Sequence, residues 1–304
     1  MRTALLLILL AAAGPPAAAR AFNGVAILAE GDRTLSIVVS GYADRAEGRP
    51  LTASARFVIG SLSKQITAAI VMREVEAGRL ALTGDVRGLL SHTSTGTFAY
   101  SNVGYNTLGQ MAERASGRRF SALAAELFTR CGMHETTAAG AGAVQDEAVG
   151  YDEMTDGSLA PVNEAVTPAS VPSGGIVSTA PDLIRWNACL HEGRAVTPAS
   201  YAEMTRASAS RPQRWGQVDY GFGIQVSGCG GRGSGGPPCT TEYSHGGYVP
   251  GYIATLLYYP ATKRSLVVLE NTSWDAGNMT RAFAPHDAFR DQARQGSPTL
   301  TLLR

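Results

Sequence analysis

Lysine is scarce in this sequence. Of 26 lysines and arginines in 304 residues, only positions 64 and 263 carry lysine. Arginine cannot give up its proton at usable pH, whereas a desolvated lysine can, so a lysine kept in an arginine-rich chain points to chemistry rather than to charge alone. Charge of either sign is also thin. Charged residues make up 17% of the chain, the net charge is +1 and there is no basic run, which argues against an electrostatic nucleic-acid partner. The five histidines are scattered, and neither His-Glu-x-x-His nor Cys-x-x-Cys occurs, so the zinc signatures are missing. No Gly-x-Ser-x-Gly elbow occurs, which argues against an α/β-hydrolase. Beyond the N-terminal region no apolar run is long enough to span a bilayer. Hydrophobic residues at 44% are ample for one large core or two modest ones.

At the N-terminus, Met1-Arg2 precedes an apolar stretch from Ala4 to Ala13, and Ala17 to Ala19 supply small residues. The pattern predicts a secretory signal peptide over 1–19, cut near Ala19 or Ala21. It has no cysteine for lipid attachment and no twin arginine, so Sec export to a periplasmic or secreted location is expected, with no membrane span after cleavage. In an exported chain, four cysteines favour disulfides. Cys229 and Cys239 bracket a Gly/Pro-rich loop and are the expected pair; Cys131 and Cys189 lie in helical-looking segments, where a second bridge or two buried thiols are both open.

Strand-like runs lie at both ends of the chain. Gly24–Ala29 and Leu35–Val39 form one pair, and Tyr220–Val226, Tyr243–Gly247, Tyr252–Tyr259 and Ser265–Glu270 follow late. Helical patterning fills the middle, at Asn102–Ser116, Phe120–Thr129, Ala180–His191 and Pro198–Ala207, and a closing helix is expected over Ala276–Ala293. The order predicts an α/β (α+β) fold: one antiparallel sheet flanked by helices and built from both termini, with an inserted helical lobe. The sheet lobe is expected over about 22–80 and 216–293, the helical lobe over about 81–215, and a tail over 294–304.

Three stretches carry chemistry. In Phe57-Val58-Ile59-Gly60-Ser61-Leu62-Ser63-Lys64, a strand end turns through glycine into a helix running to about Glu76. Ser61 and Lys64, three apart, share a helical face, and Ser61 lies beside the unpaired N–H groups of the helix start. Tyr100-Ser101-Asn102 opens a second helix; a phenol beside a cation can move a proton, and an amide can orient a substrate or the lysine. In Tyr243-Ser244-His245-Gly246-Gly247-Tyr248, two glycines on a strand would let a substrate approach the backbone, and the N–H of Tyr248 could join that of Ser61 in an oxyanion hole.

Together these stretches resemble the serine β-lactamase and penicillin-binding superfamily, and most closely its class C-like branch of β-lactamases, D-alanyl-D-alanine carboxypeptidases, D-amino-acid peptidases and esterases. Leu89-Leu90-Ser91-His92-Thr93-Ser94 and Pro172-Ser173-Gly174-Gly175-Ile176-Val177-Ser178-Thr179 are similar to two further family segments. The resemblance implies a sheet lobe and a helical lobe with the site between them, no metal and no cofactor. By it, Ser61 is the acylated nucleophile, Lys64 its activating partner and Tyr100 a proton shuttle, while Asn102, His245, Gly246 and Gly247 contact substrate. The implied substrate is a small molecule or peptide, peptidoglycan-derived fragments among them. The connections Val86–Leu89 and Ser94–Phe98 are much shorter than in relatives, and His245 stands where many have lysine.

Histidine is only partly protonated near neutrality, so it would hold a carboxylate less firmly than lysine, and an efficient β-lactamase is not expected. Two routes to an acyl-enzyme stay open. Either Lys64 is neutral and acts as base, helped by a second cation such as protonated His245, or Lys64 stays charged and Tyr100 works as phenolate. A catalytically impaired relative that binds cell-wall peptide or another protein is the alternative reading.

Overall fold

The computed structural model describes residues 20–138, 140, 146–162, 167–213, 216–228, 241–274 and 277–302. The expected signal segment over 1–19 and the expected Cys229–Cys239 pair lie outside the described residues.

The chain opens with β1 (Gly24–Glu30) and β2 (Arg33–Ser40), an antiparallel hairpin. Short strands β3 (Tyr42–Asp44), β4 (Arg49–Pro50) and β5 (Arg56–Val58) lead to a 3-10 turn at Gly60–Leu62 and then α1 (Ser63–Glu76). The helical part follows as α2 (Gly84–Leu90), α3 (Asn102–Ser116) and α4 (Phe120–Cys131). A small hairpin, β6 (Tyr151–Glu153) and β7 (Leu159–Pro161), precedes β8 (Val177–Thr179), which pairs with β5. Helices α5 (Ala180–His191) and α6 (Pro198–Thr205) return the chain to the sheet. There it forms β9 (Ala209–Gln213), β10 (Gly216–Tyr220), β11 (Gln225–Ser227), β12 (Glu242–Val249), β13 (Tyr252–Tyr259) and β14 (Arg264–Glu270). After β15 (Thr272–Ser273) come α7 (Met279–Ala282) and α8 (Ala284–Arg294).

The main sheet has eight strands in the order β2-β1-β14-β13-β12-β11-β10-β9, and every pairing in it is antiparallel. It is built from both chain ends: Gly24 faces Glu270 and Ala29 faces Ser265. Alternate residues leave opposite faces of a strand, so a sheet covered on both sides carries apolar residues at consecutive positions. In β1, Val25, Ile27 and Ala29 enter the large core while Ala26 and Leu28 enter the smaller one. Helices α1 and α5 contribute to the large core, and Phe289 and Ala293 of α8 cover the other face.

Several boundaries differ from the sequence expectation. The run Tyr220–Val226 is two strands, because Gly221 N–H donates to Ile224 C=O (2.8 Å) and turns the chain. The expected closing helix is split between α7 and α8. Pro285 lies in the first turn of α8, where its missing N–H costs nothing; it could not have continued the α7 ladder. The sheet resumes at Ala209 rather than near 216, and Leu300 of the expected tail is buried in the smaller core, its N–H donating to Ser36 Oγ (3.0 Å).

Cys131, at the end of α4, and Cys189, in α5, form a disulfide across 58 residues. Closing a loop of that size restricts the unfolded chain by about 4 kcal/mol in the chain-entropy description. The double substitution Cys131→Ser/Cys189→Ser is expected to lose about 2–4 kcal/mol in urea unfolding, and reductant should weaken the wild type by a similar amount. Equal midpoints with and without reductant would show that no such bridge forms.

Candidate active site

Helix α1 is buried along nearly its whole length, and the polar side chains of its first turns are fixed by the segment Val171–Ile176 and by Trp186 of α5. Ser63 Oγ accepts from Ile176 N–H (3.2 Å), Thr67 Oγ1 donates to Pro172 C=O (2.7 Å) and Gln65 Oε1 accepts from Trp186 Nε1 (2.8 Å). This is where the Pro172–Thr179 motif acts: it holds the helix that carries the lysine. Ser61 lies in the 3-10 turn just before α1, and Gly60 makes that turn possible at φ +55°.

Lys64 is fully buried, and its Nζ has three partners: Ser61 Oγ (3.0 Å), Asn102 Oδ1 (2.7 Å) and the Ser173 carbonyl (2.6 Å). Asn102 is placed by the start of α3, where Ser101 Oγ caps Gly104 N–H (2.9 Å) and Ser101 N–H donates to His92 Nδ1 (3.1 Å). Burial, and then the positive charge of Arg211, lower the Lys64 pKa to about 7. Two of its partners, the Asn102 amide oxygen and the Ser173 carbonyl, can only accept. In the neutral amine they take both N–H groups, and the lone pair is left facing the Ser61 hydroxyl. That arrangement can remove a proton from Ser61.

Tyr100 also lies close to Ser61, with Lys64 Nζ 4.8 Å from the centroid of its ring. The residue is 38% exposed, yet burial outweighs the influence of Ser61 and Arg211, and its pKa rises to about 12. A phenol with that pKa keeps its proton near neutrality. The geometry therefore favours Lys64 over a Tyr100 phenolate as the group that deprotonates Ser61.

The third motif behaves differently from its sequence reading. His245 is almost fully buried, with Nε2 2.9 Å from the Tyr220 hydroxyl and Nδ1 2.8 Å from the Gly246 carbonyl. A carbonyl only accepts, so Nδ1 carries the proton and Nε2 accepts from Tyr220. Burial first, and then Lys64 and Arg211, hold the His245 pKa well below its usual value. His245 is thus a neutral group inside the wall, not a partly charged hand for a carboxylate. The second cation beside Lys64 is Arg211. The room expected for substrate at Gly247 is taken by the chain itself, since a Cβ there would meet the Ile59 carbonyl at 2.3 Å. At Gly246 it would face the Phe283 ring at 3.8 Å. That close passage brings the backbone nitrogen of Tyr248 against the Gly60 turn, 3.1 Å from where a Gly60 Cβ would stand. The two backbone groups proposed for an oxyanion hole, those of Ser61 and Tyr248, are therefore neighbours.

Around the lysine stands a shell that sequence reading missed. His92 lies 4.4 Å from the Tyr100 ring, 5.0 Å from Tyr105 and 5.2 Å from Tyr220. Its pKa falls to about 3 through burial, Lys64 and Arg211, so it too is neutral. Burial also raises the Tyr105 and Tyr220 hydroxyls well above their usual range. The shortened Ser94–Phe98 connection is a tight turn closed by Ala99 N–H to His92 C=O (2.7 Å), and it delivers Phe98 to the same cluster. No His, Cys, Asp or Glu cluster suited to a metal occurs among the described residues, and no described helix is long and apolar enough to cross a membrane.

A half-buried serine beside a buried lysine, set between a helical region and strand β12 of an antiparallel sheet, defines the class of serine hydrolases built on the β-lactamase and penicillin-binding fold. The sequence matches the Beta-lactamase family over residues 11–284, and the chain belongs to that family. It is 26% identical over 323 residues to penicillin-binding protein 4* of Bacillus subtilis (strain 168), covering 84% of this chain and 69% of that one. Among solved structures, D-amino acid amidase from Ochrobactrum anthropi SV3, complexed with L-phenylalanine, superposes with a TM-score of 0.76 at 21% identity, covering 90% of this chain and 94% of that one. The penicillin-binding protein of Bacillus halodurans gives 0.73 at 24% identity, covering 88% and 95%.

Lowering the pKa of a buried lysine has a cost in stability whose sign is fixed. In the unfolded chain lysine titrates near ~10.4, so between about 7 and 10.4 the unfolded state binds more protons and stability rises with pH. The cost is complete below pH ~7 and gone above ~10.4. Lys64→Met removes it, so its stability relative to wild type should be higher at pH 6 than at pH 9 by on the order of 2–3 kcal/mol. A difference independent of pH would mean that Lys64 titrates normally.

Proposed function

We propose that this chain is an exported serine hydrolase that works through an acyl-enzyme on an ester or amide carbonyl. Its activity is of the esterase or D-amino-acid peptidase and carboxypeptidase kind, with β-lactams as weak substrates at most. The observation that carries this reading is the Lys64 amine, buried and directed at Ser61 Oγ by two pure acceptors. Ser61 Oγ attacks the carbonyl carbon and its proton passes to Lys64. The backbone N–H groups of Ser61 and Tyr248 stabilise the oxyanion, and Tyr100 passes its proton to the leaving alcohol or amine while the Lys64 ammonium returns one to Tyr100, so that both start the next half-reaction in their original forms. Water then repeats the sequence on the acyl-enzyme and frees Ser61. Relatives named as penicillin-binding proteins and a D-amino acid amidase neighbour support small-molecule or peptide substrates, with peptidoglycan fragments among them.

Fluorophosphonate labelling followed by peptide mapping should place the adduct on Ser61, and Ser61→Ala should abolish it. No adduct in folded wild type would favour a non-catalytic, peptide-binding protein. For an activated short-chain ester, kcat/KM should rise with pH to a half-maximum near 7, as Lys64 loses its proton. Lys64→Arg keeps the charge and loses the base, so it should be nearly as damaging as Lys64→Ala. A folded arginine variant retaining about a tenth of wild-type kcat/KM, a loss near ~1.4 kcal/mol, would sink the base role. Neutral His245 offers no charge at the third motif, so p-nitrophenyl esters should be turned over faster than penicillins; the reverse ranking, measured as kcat/KM, would count against an esterase or peptidase.

A further inference from the structure

His92 combines two unfavourable features. Its backbone is left-handed, at φ +60°, a conformation that most side chains avoid. The residue is 1% exposed, and because Nδ1 accepts from Ser101 N–H (3.1 Å) the neutral ring carries its proton on Nε2. That Nε2 is buried and has no hydrogen-bond partner among the described residues. A strained backbone and an unpaired buried donor in one residue beside a reacting serine point to a function for that residue.

The strained conformation has a geometric product. The His92 carbonyl accepts from Ala99 N–H (2.7 Å) while its ring accepts from Ser101 N–H. The two acceptors straddle Tyr100, one holding the residue before it and the other the residue after it. The imidazole also lies against the Tyr100 ring, with centroids 4.4 Å apart. His92 therefore grips the Tyr100 segment at three points. Through Ser101 the grip reaches further: Ser101 Oγ caps α3 at Gly104 N–H, and the next residue, Asn102, accepts from Lys64 Nζ.

The anchor is itself fixed. On one side of it Ser91 Oγ donates to the Arg87 carbonyl (2.7 Å), and on the other Thr93 N–H donates to the Gly88 carbonyl (2.7 Å), so both neighbours are tied to α2. Tyr105 walls the ring at 5.0 Å, and its hydroxyl donates to the Leu90 carbonyl (2.7 Å). Burial, Lys64 and Arg211 keep the imidazole neutral, so Nδ1 stays an acceptor near pH 7.

We infer that His92 is a positioning residue for acyl transfer: its carbonyl and its Nδ1 clamp the chain on both sides of Tyr100, which sets the Tyr100 hydroxyl for the leaving group and Asn102 for Lys64. The inference rests on the acyl-transfer reading above and adds a residue that acts at one remove from the reacting atoms.

The test separates the acceptor from the ring. His92→Asn keeps an acceptor one bond beyond Cγ, where Nδ1 stands, and asparagine tolerates the left-handed backbone. His92→Leu has nearly the same shape as that variant and no acceptor; should it fail to fold at this φ, His92→Gly takes its place. The readout is the ratio of kcat/KM for p-nitrophenyl acetate to that for benzyl acetate. p-Nitrophenolate departs without a proton, whereas the benzyl alkoxide needs one from Tyr100, so a misplaced phenol penalises the benzyl ester alone. The ratio should rise at least tenfold in His92→Leu or His92→Gly and stay within threefold of wild type in His92→Asn. A ratio within threefold of wild type in the variant without an acceptor, or an asparagine variant no better than that one, overturns the inference. Amide hydrogen exchange reads the clamp without turnover: Ser101 N–H should exchange at least tenfold faster in His92→Leu or His92→Gly but not in His92→Asn, and unchanged protection in the former overturns the inference as well. Failure of the acyl-transfer reading would show separately, as the absence of a fluorophosphonate adduct on Ser61 in wild type.

Discussion

The site depends on one constraint: a lysine amine is buried among hydrogen-bond acceptors with no carboxylate to neutralise it. A carboxylate in that position would hold the amine charged, and a charged amine has no lone pair to offer Ser61. The surrounding structure keeps negative charge out while still satisfying the amine. Carbonyl and amide oxygens do this, at Ser173 and Asn102, because they accept hydrogen bonds without carrying a full charge. The rigid placement of those two oxygens goes with the pinning of the first turns of α1 by Val171–Ile176 and with the capped turn that begins α3.

The neutral histidines follow from the same constraint. In water an imidazole would be partly protonated near pH 7, and here two of them stand near Lys64. Each is buried, and each has one ring nitrogen set by a fixed partner: the Ser101 N–H for His92 and the Gly246 carbonyl for His245. They pack as polar aromatic rings against Tyr100, Tyr105 and Tyr220. The cluster makes a low-dielectric wall, in which the pull of Arg211 on its neighbours is stronger than it would be in water.

Much of this was legible in the sequence, and the reasons are local. Helix α3 begins at Asn102 and α5 at Ala180, as the patterning predicts, because Ser101 and Thr179 are good caps whose hydroxyls accept N–H groups in the first turn. The Ser61–Lys64 spacing announced a shared face, and the structure brings the two side chains together. The antiparallel sheet from both termini followed from the order of strand-like and helical runs. What could not be read depended on distant packing. Arg211 is one arginine among many in an arginine-rich chain; it enters the site only because β9 is added at the sheet edge beside β10. His245 reads as a free imidazole until Tyr220, on a separate strand, covers it. The Cys131–Cys189 bridge needs the ends of two helices to meet, and neither helix encodes the other's position.

The way the sheet closes also sets when the protein can become reactive. Strand β1 finds its partner only when β14 exists, and the turn carrying Ser61 is braced by Gly247 on β12. Contacts between such distant parts of a chain form late, after a large loop-closure cost has been met. A nascent chain that ends before β12 contains the serine, the lysine and the tyrosine, yet has neither the Tyr248 nitrogen nor the His245 wall. Its serine is an ordinary alcohol. Acylating power therefore arrives with the completed fold, and the chain carries no working nucleophile while it is being made.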